Sequence, residues 1–365
     1  MRPRLGKGLA VLAVFTLVGV ACSDNSSTTA GGSSSGGVAC NADIKIGVAL
    51  DVGGLGDKSF NDAAKRGLDN AIADGLVCED NTKFIEANAT GSDRDQNVQS
   101  LADAGYNTVV GVGFAFSPGV NEIAPDFPDT NFAVIDGYAT CGTACGLKND
   151  KLTNVADLTF KEQEGSYLVG IAAALKCACD TIGFLGGQQG IGLIEKFEAG
   201  YTAGALSVNP KMNVLVEYIG TDETAFNDAV KGEALSTKMY DDGAEIIYHA
   251  AGASGAGLFN AAVKAQKYAI GVDSDQYLTA SPEQQPWILT SMLKRVDVAT
   301  YNAIKQTGED SFITGPQVFG MAEDGLDYSK SNTEALTQDI MDQMDAAKQD
   351  IIDGKIVVPD DPTKI

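Results

Sequence analysis

Asp51, Asp136 and Asp273 each stand at the end of a short apolar run, the runs being Ile44–Leu50, Asn131–Asp136 and Ala269–Asp273. Phe60, Asn61, Phe197 and Gly252 lie in stretches that follow such runs, and Lys294 follows another, Trp287–Met292. These residue types suit gripping a small molecule. A carboxylate accepts hydrogen bonds, an amide gives and takes them at once, an aromatic face stacks on a flat ring, and glycine lets backbone approach closely. The chain has one histidine, His249, which argues against Ser-His-Asp or Cys-His catalysis and excludes a multi-histidine metal site. Hydrolysis assisted by calcium needs several acids packed in one turn, whereas these acids are spread over different runs.

The elements that must position these groups are legible as an alternation. Apolar runs at Ile44–Leu50, Lys83–Ala87, Thr108–Gly113 and Asn131–Asp136 form one set of four; Thr181–Leu185, Val214–Tyr218, Glu245–Ala250 and Ala269–Asp273 form a second. Helix-length amphipathic stretches, among them Asn61–Ala73, Arg94–Ala104, Glu164–Leu175, Ile194–Ser207 and Ala225–Asp241, separate them. That pattern predicts an α/β fold of two lobes, each a parallel sheet flanked by helices. The later chain adds strands at Trp287–Met292 and near Gln317–Met321, and helices at Val296–Gln306 and from Thr333 to about Ile352. In such folds ligands bind beyond the carboxyl ends of the strands, where all the residues named above fall.

The run Asp-Val-Gly-Gly-Leu-Gly-Asp-Lys-Ser-Phe-Asn over residues 51–61 reads as strand end, glycine-rich turn and helix start. With Val112-Gly113-Phe114, Phe160-Lys161-Glu162-Gln163-Glu164-Gly165, Glu195-Lys196-Phe197-Glu198-Ala199-Gly200, His249-Ala250-Ala251-Gly252, Gly271-Val272-Asp273-Ser274-Asp275-Gln276 and Lys294-Arg295-Val296-Asp297, in that order, it resembles the basic-membrane-protein (BMP) family. That family comprises exported, purine-nucleoside-binding lipoproteins that serve ABC importers. The resemblance runs from about Ile44 to Tyr328.

The resemblance implies a type I periplasmic-binding-protein fold with three interlobe crossovers, placed near Asn149–Ala156, Thr279–Pro286 and Thr314–Gln317. The lobes would then be 41–152 with 286–314, and 153–285 with 315–365. It also implies a ligand site of Asp51, Phe60, Asn61, Asp136, Phe197, Gly252, Asp273 and Lys294. Phe60 and Phe197 would sandwich a purine, Asn61 and Asp136 would read its edge, and Asp273 would accept from both hydroxyls of the ribose. Lys294 would donate to a ribose oxygen while neutralising Asp273. The ligand would be a neutral nucleoside (inosine, guanosine or adenosine), the partners a permease and ATPase, and the chain a monomer without cofactor, metal or catalytic residue.

Each assignment has a plainer rival. Phe60 also suits the first core position of its helix, although it adjoins Asn61 in an otherwise exposed turn, and Phe197 suits the core of Ile194–Ser207. Asp51 is equally a helix cap, Asp136-Gly137 a common turn pair, and Asp273 with Lys294 a structural ion pair. Phe114 and Phe116 read as strand-end packing, and His249 as a satisfied polar residue near a strand terminus. Gly252-Ala-Ser-Gly255-Ala-Gly257 runs in the wrong order for a dinucleotide fingerprint and fits backbone approach to a small ligand. Gln188 or Gln189, in a glycine-rich stretch, is expected to touch the ligand. A simple-sugar or signalling-ligand receptor and, with less support, a nucleoside hydrolase are the competing functions.

The bulk numbers set further bounds. Across 365 residues, 49 acidic against 26 basic side chains give a formal charge of -23, which disfavours nucleic acid, anionic membrane surfaces and polyanionic ligands. Arg2, Arg4 and Lys7 precede an apolar run, Leu9–Ala21, that is short for a bilayer span and ends in small residues, as export signals do. Gly19-Val20-Ala21 before Cys22 resembles a lipobox, so the expectation is a lipoprotein signal over 1–21, a lipidated Cys22 and attachment at the outer face of the cytoplasmic membrane. Residues 22–40, rich in Ser, Thr and Gly, read as a flexible tether. Six further cysteines allow three disulfides in 15 pairings. Adjacent parallel strands begin side by side, which favours Cys40 with Cys78 as the best single pairing. Cys141 and Cys145 could close a small loop, leaving Cys177 and Cys179, whose separation permits only a strained bond, and a four-cysteine zinc site is the rival for those last four.

Overall fold

The computed structural model describes residues 39–365. The expected signal, Cys22 and nearly all of the tether lie outside the described residues. In chain order the described elements are β1 Ile46–Leu50, α1 Phe60–Ala73, β2 Thr82–Glu86, α2 Arg94–Asp103, β3 Thr108–Val112, α3 Ser117–Ile123, β4 Asn131–Ile135, β5 Val155–Phe160, α4 Glu162–Lys176, β6 Thr181–Gln188, α5 Leu193–Val208, β7 Asn213–Gly220, α6 Ala229–Asp241, β8 Ile246–Ala250, α7 Gly255–Ala265, β9 Tyr268–Asp273, α8 Gln276–Thr279, β10 Ile288–Lys294, α9 Val296–Gly308, β11 Gly315–Phe319, β12 Leu326–Tyr328 and α10 Gln338–Ile352.

Two six-stranded sheets result. The first lobe orders its strands β11-β5-β4-β3-β1-β2, the second β12-β10-β9-β8-β6-β7. All pairs are parallel except β10 with β12. In β1, β3 and β8 every residue is buried, as near-continuous apolar strands covered on both faces must be. The edge strand β2 instead exposes Lys83, Phe84 and Glu86. In α1, Ala63, Ala64, Gly67, Leu68 and Ala71 recur at helical spacing and form its buried face. Gly75, in the left-handed region just past the helix, ends it.

The chain crosses between lobes three times, as expected, but not at the expected places. Val155–Phe160 is a strand of the first sheet, pairing with β4 and β11, so the first crossing falls at 160–162. Its apolar pattern is broken by Asp157, whose carboxylate accepts from the backbone N–H groups of Ala139 and Thr140, each at 2.8 Å. That break concealed the strand. β10 belongs to the second sheet, while α9 packs on α1, which moves the second crossing to 294–296. β11 belongs to the first sheet, and the third crossing follows it. The lobes are therefore about 39–160 with 296–319, and 161–294 with 320–365.

The six described cysteines lie in the expected pairs. Cys40 and Cys78 have Cα atoms 4.9 Å apart, Cys141 and Cys145 5.8 Å, and Cys177 and Cys179 5.0 Å.

Candidate functional site

Parallel register brings the strand ends together. Leu50 pairs with Val112 and Val112 with Ile135, so Asp51, Gly113 and Asp136 emerge side by side. In the second sheet Asp273 pairs with Leu293, which sets it beside Lys294. The eight residues singled out from the sequence all line one interlobe cleft of about 690 Å³ of atom-free space, counting its mouth. Asp136 and Asp273 end equivalent strands of the two lobes, and both adopt left-handed backbone, φ 59° and 63°. That conformation costs a non-glycine residue on the order of 1 kcal/mol or more and recurs where side chains must be aimed at a ligand.

On the first-lobe wall Asn61 is held at both ends of its amide. Its Oδ1 accepts from the Asp51 N–H at 2.9 Å, and its Nδ2 donates to Asp57 Oδ2 at 3.1 Å. One amide hydrogen and one lone pair remain for a ligand. Asp57 also accepts from the backbone N–H groups of Ser59 and Asn61. The turn is therefore buried at Asp57, Ser59 and Asn61, contrary to its reading as exposed, because Asp57 organises it from inside.

Lys294 is buried and pairs with Asp136 at 2.7 Å. Glu162 Oε1 lies 3.0 Å from the same ammonium but off the direction of a hydrogen bond. The ammonium also sits 5.0–5.4 Å from the ring centres of Phe60, Phe160 and Phe197, an arrangement that attracts a cation to the ring faces. Burial alone would lower its pKa, but Asp136, Glu162 and Asp273 more than reverse this and raise it, keeping Lys294 charged. The expected direct pair of Lys294 with Asp273 is not formed. Asp273 instead accepts from Ser59 Oγ of the opposite lobe at 2.5 Å, and burial pushes its carboxyl up to about 6. Asp136 is likewise raised by burial, and its Oδ1 has no hydrogen-bond partner in the protein.

Several residues on this cleft were not found from the sequence. Arg94 joins the lobes: it pairs with Asp51 on its own lobe and, through Nη1, with Glu223 Oε2 of the other at 2.6 Å. It is the sole basic residue of a polar helix start, and nothing local marks it. Phe226 follows β7 and lines the second-lobe wall; the strand-end rule that selected Phe60 would have selected it. Phe114 also lines the cleft, whereas Phe116 is packed in the core as expected. Gln188 and Gln189 do not line it: β6 carries them past it, and Gln188 Nε2 donates to the Thr221 carbonyl. His249 is fully buried, with Nε2 2.9 Å from Gln276 Oε1 and Nδ1 unpartnered, so it is only half satisfied. Burial lowers its pKa to about 4, which leaves it neutral. Among the described residues no three His, Cys, Asp or Glu side chains group to hold a metal ion.

The cleft is thus a pocket between hinged lobes, lined by aromatic rings and five carboxylates against two cations. A family described as "ABC transporter substrate-binding protein PnrA-like" matches residues 44–362. The chain belongs to this family. It is 32% identical to the ABC transporter nucleoside-binding protein BmpA of Lactococcus lactis over 96% of this chain and 97% of that one. It is 31% identical to basic membrane protein A2 of Borrelia garinii, covering 86% and 88%. A solute-binding protein of an ABC transporter system from Aeropyrum pernix superposes with a TM-score of 0.71 at 29% identity, covering 87% and 94%. The fold is the type I periplasmic-binding-protein architecture. Substrate-binding proteins of ABC importers work outside the cytoplasm, and the partners implied are a transporter's permease and ATPase. No described helix is long and apolar enough to cross a membrane.

Proposed function

We propose that the chain captures uncharged purine nucleosides and delivers them to its importer, without catalysing a reaction on them. The observation that carries this reading is the composition of the cleft. Phe60 comes from one lobe and Phe197 and Phe226 from the other, around an amide and carboxylates whose free positions suit a base edge and a ribose. Base–aromatic stacking contributes about 1–3 kcal/mol per base by analogy with nucleic-acid binders. Asn61, with one donor and one acceptor free, and Asp136, with Oδ1 free, match the edge of a purine. Asp273 suits the two hydroxyls of a ribose, Asp51 and Gly252 complete the walls, and Lys294 donates to the sugar. The excess of carboxylates works against nucleotides, since each like-charge pair at ~4 Å costs roughly 4 kcal/mol at an effective dielectric near 20. The relative named as nucleoside-binding supports the reading.

Export through the signal at 1–21, lipidation of Cys22 and oxidation of the three cysteine pairs belong to the same proposal. The test is native mass spectrometry of protein purified without added ligand, followed by calorimetric titration with inosine, guanosine, adenosine, inosine monophosphate and ribose. Tight binding of nucleosides with weak or no binding of the monophosphate and of ribose is expected. Ribose bound as tightly as inosine would favour a sugar receptor, and release of free base from inosine would make the chain a hydrolase.

A further inference from the structure

We propose that Glu162, backed by Lys196, is a positioning residue that holds Lys294 at the cleft and, through the same ion pair, sets the angle at which the lobes close. This rests on the binding site described above and adds to it a residue outside the cleft.

Glu162 does not line the cleft, yet it is fully buried and lies between two cations. Its Oε1 is 3.0 Å from Lys294 Nζ and its Oε2 3.2 Å from Lys196 Nζ. A carboxylate removed from water is retained only where charge compensates it. Burial works to raise its pKa, but Lys294 and Lys196 overcome that and lower it, so it remains an anion. Lys196 is brought within reach because α4 and α5 pack at their backbones. A side chain at Gly200 or Gly204 would run into the carbonyls of Gln163 and Tyr167.

The placement of the pair in the chain gives it a second consequence. Glu162 stands on the first interlobe crossing and Lys294 on the second, so the ion pair ties two hinge strands together. The third crossing is tied to the first: Lys161 N–H donates to the Phe319 carbonyl at 3.0 Å, and Met321 N–H to Glu164 Oε2 at 2.8 Å. It is tied to the second as well, by Arg295 N–H to the Gly325 carbonyl at 2.9 Å. Lys294 reaches forward from this hinge to Asp136 in the first lobe. A ligand that engages Asp136 or Lys294 therefore acts on the hinge without an intermediary, and Glu162 sets where Lys294 stands when it does. Coupling of this kind needs a shared element that both events bias, and Lys294 is that element.

The experiment compares wild type, Glu162→Gln, Lys294→Met, the double variant and Lys196→Met by inosine titration and by small-angle scattering without ligand. Glu162→Gln is expected to weaken inosine binding about tenfold and to increase the radius of gyration. Added to Lys294→Met, it should change neither quantity further, because Glu162 acts only through Lys294. Lys196→Met, which leaves a partly exposed position, should weaken binding about threefold and keeps the test open if Glu162→Gln does not fold. Additive effects in the double variant would overturn the proposal, as would scattering and affinity like wild type in Glu162→Gln or, failing that, in Lys196→Met. Failure of wild type itself to bind inosine would sink the nucleoside reading alone, since the scattering comparison needs no ligand.

Discussion

Asp273→Asn should make the protein more stable and a poorer receptor at once. In the folded chain the Asp273 carboxyl is pushed by burial from an ordinary value of 3.8 to about 6. At ~1.4 kcal/mol for each pH unit, holding it ionised at neutral pH costs the fold about 3 kcal/mol. An amide removes that cost but weakens the bond from Ser59 Oγ, because an acceptor that was charged becomes neutral, a loss of about 1–2 kcal/mol. The net gain is about 1–2 kcal/mol, or roughly 2–4 °C in melting temperature. The sign depends on pH. A folded carboxyl with a raised pKa holds its proton more tightly than the unfolded one, so the cost is absent below about pH 3.8 and grows as pH rises through about 6. The variant should therefore melt above wild type at pH 7 and close to it at pH 4, where the carboxyl is already protonated. If Asp273 accepts from a ribose, losing a charge-assisted bond of about 1.5–3 kcal/mol weakens inosine roughly 10- to 150-fold. Scanning calorimetry at the two pH values and titration at pH 7 read both effects. A lower melting temperature at pH 7 together with unchanged affinity would refute the electrostatic account and the ribose contact alike.

Inosine affinity of wild type should fall as pH is lowered through about 6, because protonation of Asp273 removes the charged acceptor; a flat affinity between pH 5 and 7 would place the sugar elsewhere. Phe60→Ala and Phe226→Ala should each weaken inosine by about 1–3 kcal/mol of lost stacking while unfolding stays cooperative, with calorimetry showing which second-lobe ring matters when Phe197→Ala is measured beside them. Glu223→Gln removes the partly exposed interlobe pair with Arg94, worth at most about 1 kcal/mol. Ligand release should quicken about fivefold in stopped-flow displacement, and an unchanged release rate would show that the pair does not hold the lobes closed.

Much of the site was legible because strand ends announce themselves locally. An apolar run followed by an aspartate or a glycine-rich turn places a side chain at one edge of a parallel sheet, and Asp51, Asp136, Asp273, Phe60 and Gly252 were all found this way. Phe226 obeys the same rule and was overlooked. β5 was missed because Asp157 breaks its pattern to cap a neighbouring turn, which displaced the first crossing; the second and third moved because β10 belongs to the second sheet and β11 to the first. Arg94 and Glu162 carried no local mark, since their meaning lies in what they touch.

The sequence by itself determined the alternation of strands and helices and the strand-end positions of Asp51, Asp136 and Asp273, because periodicity is a short-range property; the three crossings and the eight-residue ligand set came with the family resemblance. Only the tertiary structure decided which charge meets which. Lys294 pairs with Asp136, 158 positions away in the chain, and not with the nearer Asp273, which turns to Ser59. Electrostatic partners are chosen by distance through space, and in a chain that crosses three times between lobes, separation along the sequence carries almost no information about it.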